Sequence, residues 1–198
     1  MRDAGLSIKT WMDINDNDYN TVRDVLEAYL GWVGKVQQKN DPNGNKTLGH
    51  YYYKNVNIIG IDVRIEPKFT IPEGDPYTGE RWWLVVSEVT VSQPLCSGGW
   101  CRPQTDGPGL RAMAVSKWGL ILAGEGLEDQ ARSTAWPLVQ FDMEWVTNNW
   151  AQSGCDLWEE FTSDDFYWNR MAFVYSLNTA AQFADALGEA DRLNIVKI

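Results

Sequence analysis

With 198 residues, the chain is long enough for one domain with a sizeable hydrophobic core. Its 17 basic and 27 acidic residues leave a net charge of −10, which argues against nucleic acid and anionic membrane surfaces as partners, because both attract basic patches. This charge does not argue against a neutral polysaccharide.

The start of the chain predicts two helices. Residues 3–14 place Ile8, Trp11 and Met12 at helical spacing on one side, and Asp3 stands where it could cap the N-terminus. Residues 21–38 repeat apolar side chains at helical intervals, which predicts a packing helix. Its apolar positions are Val22, Val25, Leu26, Tyr29, Val33 and Val36.

The stretch from 47 to 99 has no helical pattern. Short apolar runs at 56–61 and 84–91 are interrupted by Pro and Gly, which predicts irregular or strand-like structure. A structureless connection of this length is unusual in a compact domain. The stretch is therefore either functional or an error of sequence assembly.

The second half of the chain predicts three helices. The first spans 106–124, with Asp106 as N-cap and Pro108 in the first turn. The second spans 136–150, with Gly154 expected to mark the helix end, and the third, 166–187, is rich in Ala. Helices in series with few strands between them predict an all-α solenoid or toroid. The apolar face of the second helix is Val139, Met143, Val146 and Trp150.

Cysteine and histidine usage narrows the chemistry. Three Cys without a Cys-x-x-Cys pair make a zinc site improbable, and a single His argues against a His-based triad. We therefore expect no cofactor and no metal. The sequence shows neither a membrane-spanning apolar run nor a signal peptide. It leaves the pairing of Cys96, Cys101 and Cys155 open.

Residues 153–161 form an acidic run around one indole ring. Asp156, Glu159 and Glu160 flank Trp158. A Trp face can stack on a sugar ring while carboxylates bind its hydroxyls or protonate a glycosidic oxygen. Taken alone, such a run more often indicates an acidic surface turn, so the wider sequence has to decide. Eleven Trp and eight Tyr fit either a large aromatic core or a sugar-binding cleft.

Three segments together carry a family resemblance. They are Arg-Asp at 2–3, Trp-Cys-Arg-Pro-Gln-Thr-Asp-Gly-Pro-Gly-Leu-Arg at 100–111, and Asp-Leu-Trp-Glu-Glu at 156–160. In content and order they resemble the glucoamylases, the family-15 glycoside hydrolases, and most closely the fungal type. The resemblance implies that the chain holds roughly the first half of an (α/α)6 toroid, with an irregular or strand-like insert at about 47–99.

The same resemblance implies a function. Glucoamylases are inverting exo-glycosidases, glucan 1,4-α-glucosidases (EC 3.2.1.3), which release β-D-glucose from non-reducing ends of starch and maltooligosaccharides. Related activities in the family act on dextran-like or trehalose-type linkages. The family further implies a secreted protein that is a monomer at full length.

The resemblance also assigns roles within the acidic run. Glu159 is the implied general acid, and Glu160 holds hydroxyls of the next glucose. The backbone of Leu157 and Trp158 contacts the same sugar, and Asp156 supports the cleft. Glu159 and Glu160 cannot serve as the acid and base of one reaction, because the side chains of sequence neighbours diverge.

Opposite the acidic run, the resemblance implies a clamp on the terminal sugar. Arg2 and Asp3 bind the 4- and 6-hydroxyls of that glucose, which makes the enzyme exo-acting, and Trp100 packs over the sugar. Two cysteines depart from the family pattern. Cys101 stands where Gly is common, and Cys155 stands where an aromatic residue is common.

The implied general base lies in the second half of the family domain. We therefore expect the chain as written to lack that region and not to hydrolyse starch. An alternative is a truncated, inactive fragment with residual carbohydrate binding, and a third interpretation is an unrelated helical interaction protein. Whether the chain is part of an active glucoamylase or an inactive fragment, residues 1–198 are expected to form one partial catalytic domain.

Residues 81–98 interrupt the resemblance between Tyr-Thr-Gly at 77–79 and the segment at 100–111. We predict that they are an insertion produced by a gene-model error such as a translated intron, and a genuine β-hairpin at the rim of the cleft is the competing interpretation. Sequencing of the spliced transcript tests this. We expect the codons of 81–98 to be missing, and a message that retains them leaves the hairpin.

Overall fold

The computed structural model describes residues 2–15, 18–37, 47–48, 61–62, 104–158 and 161–189. In chain order these form α1 (Arg2–Ile14), a 3-10 turn (Tyr19–Thr21), α2 (Arg23–Gln37), β1 (Thr47–Leu48), β2 (Ile61–Asp62), α3 (Asp106–Gly124), α4 (Glu128–Gln130), a π-helical segment (Ala131–Ala135), α5 (Trp136–Asn149), β3 (Gly154–Cys155), β4 (Thr162–Ser163) and α6 (Tyr167–Leu187). All five predicted helices are present, as α1, α2, α3, α5 and α6, with bounds within two residues of prediction.

The strands are two short antiparallel pairs. β1 pairs with β2, with Thr47 opposite Asp62 and Leu48 opposite Ile61. This pair agrees with the strand-like structure predicted from residue 47 onward. The remaining residues of 47–99 lie outside the described part of the chain. The second pair, formed by β3 and β4, lies on either side of residues 156–161.

The helical segment from Glu128 to Ala135 was not predicted. Ala131 and Ala135 are fully buried, but two small side chains give a weak apolar signal in a run of charged and hydroxyl residues. The Ser133 hydroxyl donates to the Asp129 carbonyl at 2.9 Å and the Thr134 hydroxyl to the Gln130 carbonyl at 2.7 Å. These bonds share acceptors with the backbone, in a segment with π-helical geometry.

Three predicted helix ends are wrong. Asp106 is the first residue of α3 and not its cap, and its carboxylate accepts a hydrogen bond from the Trp168 indole at 2.7 Å. Asp3 likewise lies inside the first turn of α1, which begins at Arg2. Gly154 does not end α5 but forms β3, because it packs directly against Thr105.

The core surrounds α3. Residues 106–116 of this helix are buried on every side, and α1, α5 and α6 all pack against it. Glycines permit the close approaches: Gly5 of α1 lies against the Leu110 carbonyl, and Gly109 faces Ser176 of α6. A helix that is apolar or small all round is expected at the centre of such a bundle.

Some predicted core residues are exposed. Trp11 is 45% exposed, Val25 42% and Trp150 45%, so these three do not belong to the apolar faces predicted for their helices. Trp150 follows the last residue of α5, and the Arg170 guanidinium lies 5.2 Å from the centre of its ring. Within the described residues, no helix combines the length and apolar character needed to cross a bilayer.

One ion pair lies in the core. The Arg111 Nε donates to Asp142 Oδ2 at 2.7 Å, and its Nη2 donates to Oδ1. Both side chains are 0% exposed. Burial raises the pKa of the neighbouring Tyr29 hydroxyl above its ordinary value of 10.0, with the Arg111 charge opposing and the Asp142 charge reinforcing the shift. Tyr29 therefore stays neutral beside the pair.

Gly119→Ala should destabilise the chain by about 1–3 kcal/mol, because a Cβ at this position overlaps the buried ring of Phe183. The matched control is Gly31→Ala on the exposed side of α2, where a new Cβ would have no neighbouring side chain or other element within 4 Å. This control should gain about 0.5–1 kcal/mol from helix propensity. Urea unfolding followed by Trp fluorescence measures both, and effects of the same sign contradict the packing described.

Asp142→Asn should destabilise the chain by about 3–5 kcal/mol, because it leaves the Arg111 charge buried without its counter-charge. The same urea unfolding experiment at neutral pH measures the loss. A cost below about 1 kcal/mol would show that water reaches Arg111.

The control for Asp142→Asn is Asp13→Asn at the surface. Hydrogen bonds from Lys117 and Lys9 hold the pKa of the Asp13 carboxyl below its ordinary value of 3.8. The side chain is 42% exposed, so its loss should cost about 1 kcal/mol or less. A depressed carboxyl pKa stabilises at neutral pH and stops doing so as pH falls below about 4, so the difference from wild type should shrink in acid.

Candidate functional site

The acidic run is a closed hairpin loop. β3 and β4 flank it, with Gly154 opposite Ser163 and Cys155 opposite Thr162. The Asp156 N–H donates to the Phe161 carbonyl at 3.0 Å, and the Phe161 N–H donates to Asp156 Oδ1 at 3.2 Å. The two bonds fix the base of the hairpin at Asp156 and Phe161.

The base of the hairpin is attached to two helices. Gly154 packs so closely on Thr105, the residue before α3, that a Cβ would overlap its side chain. Asn169 of α6 is buried and donates from Nδ2 to Thr105 Oγ1 and to the Cys155 carbonyl, both at 3.1 Å. Thus α3, α6 and β3 meet around one carboxamide.

Cys155 adds a covalent attachment. Its side chain is 0% exposed and disulfide-bonded. The other cysteines of the sequence are Cys96 and Cys101, which lie outside the described residues. Both lie close to Trp100 in the sequence, so either pairing would tie the hairpin to the segment that carries the predicted sugar-packing Trp. This finding answers part of the pairing question that the sequence left open.

Within the loop, the described site residues differ in exposure. Asp156 is half-buried and binds the Phe161 N–H. Leu157 is 36% exposed and Trp158 is 78% exposed. The indole of Trp158 is therefore open to a ligand and is not a core residue. Glu159 and Glu160 lie outside the described residues, as does Trp100.

The predicted clamp begins α1. Arg2 and Asp3 occupy its first turn, and their side chains lie outside what the structure describes. The residues that follow them are placed: Gly5 contacts the Leu110 carbonyl, and Leu6 packs against the buried cluster that contains Leu110. The start of α1 therefore rests on the N-terminal half of α3.

The two parts of the predicted site, the start of α1 and the acidic hairpin, contact the same end of α3. The hairpin contacts α3 at Thr105, and α1 contacts it at Leu110, five positions further and so about 7.5 Å along the helix axis. The Trp168 indole bridges these levels, because it binds Asp106 and also packs near Leu110. The start of α1 and the base of the hairpin therefore both contact the N-terminal end of α3.

Sequence reasoning missed the residues that hold this arrangement. Thr105, Trp168 and Asn169 make the connecting contacts. No periodicity distinguishes an Asn in the first turn of α6 from an ordinary helix-start residue. Among the described residues, no cluster of His, Cys, Asp and Glu could hold a metal ion.

Comparison with known proteins identifies the family. The model of Glycosyl hydrolases family 15 matches residues 83–198. A glucoamylase of Neurospora crassa is 33% identical over 96% of this chain and 25% of its own length. Glucoamylase-1 of Schizophyllum commune is 30% identical over 94% of this chain and 27% of its own length.

Solved structures agree. The structure of Hormoconis resinae glucoamylase is similar with a TM-score of 0.70 at 26% identity, over 97% of this chain and 28% of that one. The family-15 glucoamylase from Hypocrea jecorina gives a TM-score of 0.72 at 25% identity, over 97% and 27%. The chain thus spans about a quarter of the length of these relatives.

These neighbours confirm the predicted all-α fold of the (α/α)6 type, and the relatives confirm the resemblance on which that prediction was based. The family match extends over more than half of the 198 residues and includes the acidic hairpin. On that evidence the chain belongs to family 15 of the glycosyl hydrolases.

Proposed function

We propose that the protein carrying this sequence is an inverting exo-glycosidase of the glucoamylase type, a glucan 1,4-α-glucosidase (EC 3.2.1.3) that releases β-D-glucose from non-reducing ends of starch and maltooligosaccharides. The observation that carries the proposal is the family match across the Asp-Leu-Trp-Glu-Glu sequence, whose flanking residues Asp156 and Phe161 are joined by two hydrogen bonds. Glycosidase chemistry needs a carboxyl held in a fixed place beside an apolar surface.

In this mechanism Glu159 is the general acid. It protonates the glycosidic oxygen while a second carboxylate, some 6.5–9.5 Å away in inverting enzymes, activates water on the opposite face of the sugar. Glu160 is its sequence neighbour and cannot reach that face. The general base is therefore proposed to come from family sequence other than these 198 residues.

The remaining site residues bind the sugar. Asp156 holds the base of the loop, and Leu157 with Trp158 offers backbone groups and an open indole face. Supporting this role, Trp158 is 78% exposed although it is the largest apolar side chain in the loop. Glu160 would bind hydroxyls of the second glucose.

The clamp proposed for the terminal glucose consists of Arg2, Asp3 and Trp100. A guanidinium and a carboxylate at the closed end of a pocket satisfy the terminal hydroxyls and leave no room for the glucan to continue. The packing of the start of α1 on the same end of α3 as the hairpin supports this arrangement. Dextran-like or trehalose-type linkages would use the same clamp.

A second candidate function is a catalytically inactive fragment with residual carbohydrate binding. The observation that favours it is that the chain spans about a quarter of the length of its relatives. In both cases starch-like glucans are the proposed partners, and the protein is proposed to be secreted and monomeric at full length. The net charge of −10 argues against nucleic acid and anionic membranes.

The domain proposal is unchanged: residues 1–198 belong to one partial catalytic domain, with 81–98 as an insertion or gene-model error. The family match begins at residue 83, inside that stretch.

Glu159→Gln in the full natural protein should lower kcat on maltose by about 100- to 10,000-fold and change KM much less, because it removes proton donation and keeps the shape of the side chain. The matched control is Glu144→Gln, an exposed glutamate on α5, which should behave as wild type. Glucose release is measured by a coupled assay, and proton NMR of the first product should show the β-anomer.

Two results would contradict the proposal. Wild-type rates in Glu159→Gln would remove the acid assignment, and an α-anomeric first product would remove inversion. Isothermal titration of maltotetraose into the natural protein, with a glucose assay on the same sample, separates the two candidates. Binding with no glucose release supports the inactive fragment.

A further inference from the structure

A buried carboxamide sits at the junction of the site. Asn169 is 5% exposed, and its two amide hydrogens are directed to Thr105 Oγ1 and to the Cys155 carbonyl. An amide nitrogen has two donors, so one side chain can make both bonds at once. The residue thereby links α6, the start of α3 and strand β3.

The hairpin needs such a link. Its two strands are two residues each, and an isolated pair of that length has little stability in water. Contacts outside the hairpin must therefore set how deeply it sits. The described contacts at its base are the packing of Gly154 on Thr105, the disulfide of Cys155 and the Asn169 bond.

The position of the base determines the position of the loop. The two hydrogen bonds between Asp156 and Phe161 close the loop directly beyond Cys155. Four residues remain between the clamped ends, and Glu159 is one of them. Asp156 and Phe161, the described residues on either side of these four, are therefore held directly against the base.

We propose that Asn169 is a positioning residue for the reaction: its carboxamide fixes the depth of β3 against α3 and thereby places the loop that carries the acid. This inference rests on the proposed function, since it assumes that Glu159 acts on substrate. A misplacement of the order of 1 Å in a catalytic group costs about 100-fold in rate. Loss of two hydrogen bonds at the base is expected to allow a shift of that kind.

Asn169→Leu in the full natural protein tests the proposal, because Leu keeps the size of the side chain and removes both donors. We expect kcat on maltose to fall by about 10- to 100-fold, with KM changed by less than about threefold. The acidic and alkaline limbs of the kcat/KM profile should also move, since they report the environment of the acid and base.

The matched control is Ser176→Ala. Ser176 is a fully buried polar residue on the same helix, but its hydroxyl donates within α6 to the Phe173 carbonyl at 2.8 Å. This variant should lose stability while kcat and the pH profile stay as in wild type. Equal thermal shifts in the two variants with a kcat change confined to Asn169→Leu would separate positioning from stability.

A second variant covers the case in which Asn169→Leu does not fold. Thr105→Val removes the hydroxyl that accepts the first bond and leaves the Cys155 bond in place, so we expect a smaller loss of kcat, about threefold to tenfold. Hydrogen exchange of the Asp156 and Phe161 amides is measured alongside. Both amides should exchange faster in this variant and remain protected in Ser176→Ala.

The outcomes separate this inference from the proposed function. If wild type releases no glucose, or Glu159→Gln is fully active, the proposed function fails and the positioning role fails with it. If wild type is active and depends on Glu159, but both Asn169→Leu and Thr105→Val keep kcat within about twofold and the wild-type pH profile, the positioning inference alone is wrong.

Discussion

The buried ion pair between Arg111 and Asp142 constrains the whole helical assembly. Both side chains are fully excluded from solvent, and removal of two charges from water costs several kcal/mol that only close bidentate geometry recovers. That geometry exists at one rotation and one height of α3 against α5. An apolar contact would tolerate sliding by part of a turn, whereas a two-pronged bond between a guanidinium and a carboxylate does not. The pair therefore fixes the position of α3 against α5.

The position of α3 reaches the site through small residues and polar contacts. Because Gly5 and Gly154 have no side chains, α1 and β3 lie directly against the helix. In such close packing, a displacement of the helix also displaces its neighbours. Trp168 and Asn169 add hydrogen bonds to Asp106 and Thr105 at the same end. A shift of α3 would thus displace both the start of α1, where the clamp is proposed, and the base of the acidic hairpin.

The sequence predicted the helices and their family because both leave local signals. Apolar spacing located α1, α2, α3 and α5, a high Ala content marked α6, and three ordered motifs gave the proposed site residues. The supporting contacts have no such signal, since Thr105, Asn169 and Cys155 are far apart in sequence and ordinary in type. Exposure was also misjudged for Trp11, Val25 and Trp150. A helical period says which side chains share a face, but the neighbouring helices decide how much of that face is covered.

The way the hairpin is anchored explains why its aromatic residues are exposed. Trp158 and Phe161 are 78% and 61% exposed. In a hairpin stabilised by its own apolar contacts, those rings would have to pack inward. Here the base is held instead by hydrogen bonds, a disulfide and a glycine contact. Anchoring by polar and covalent means leaves the apolar faces of the loop available to a sugar ring. The stability of the hairpin and its capacity to bind are thereby assigned to different residues.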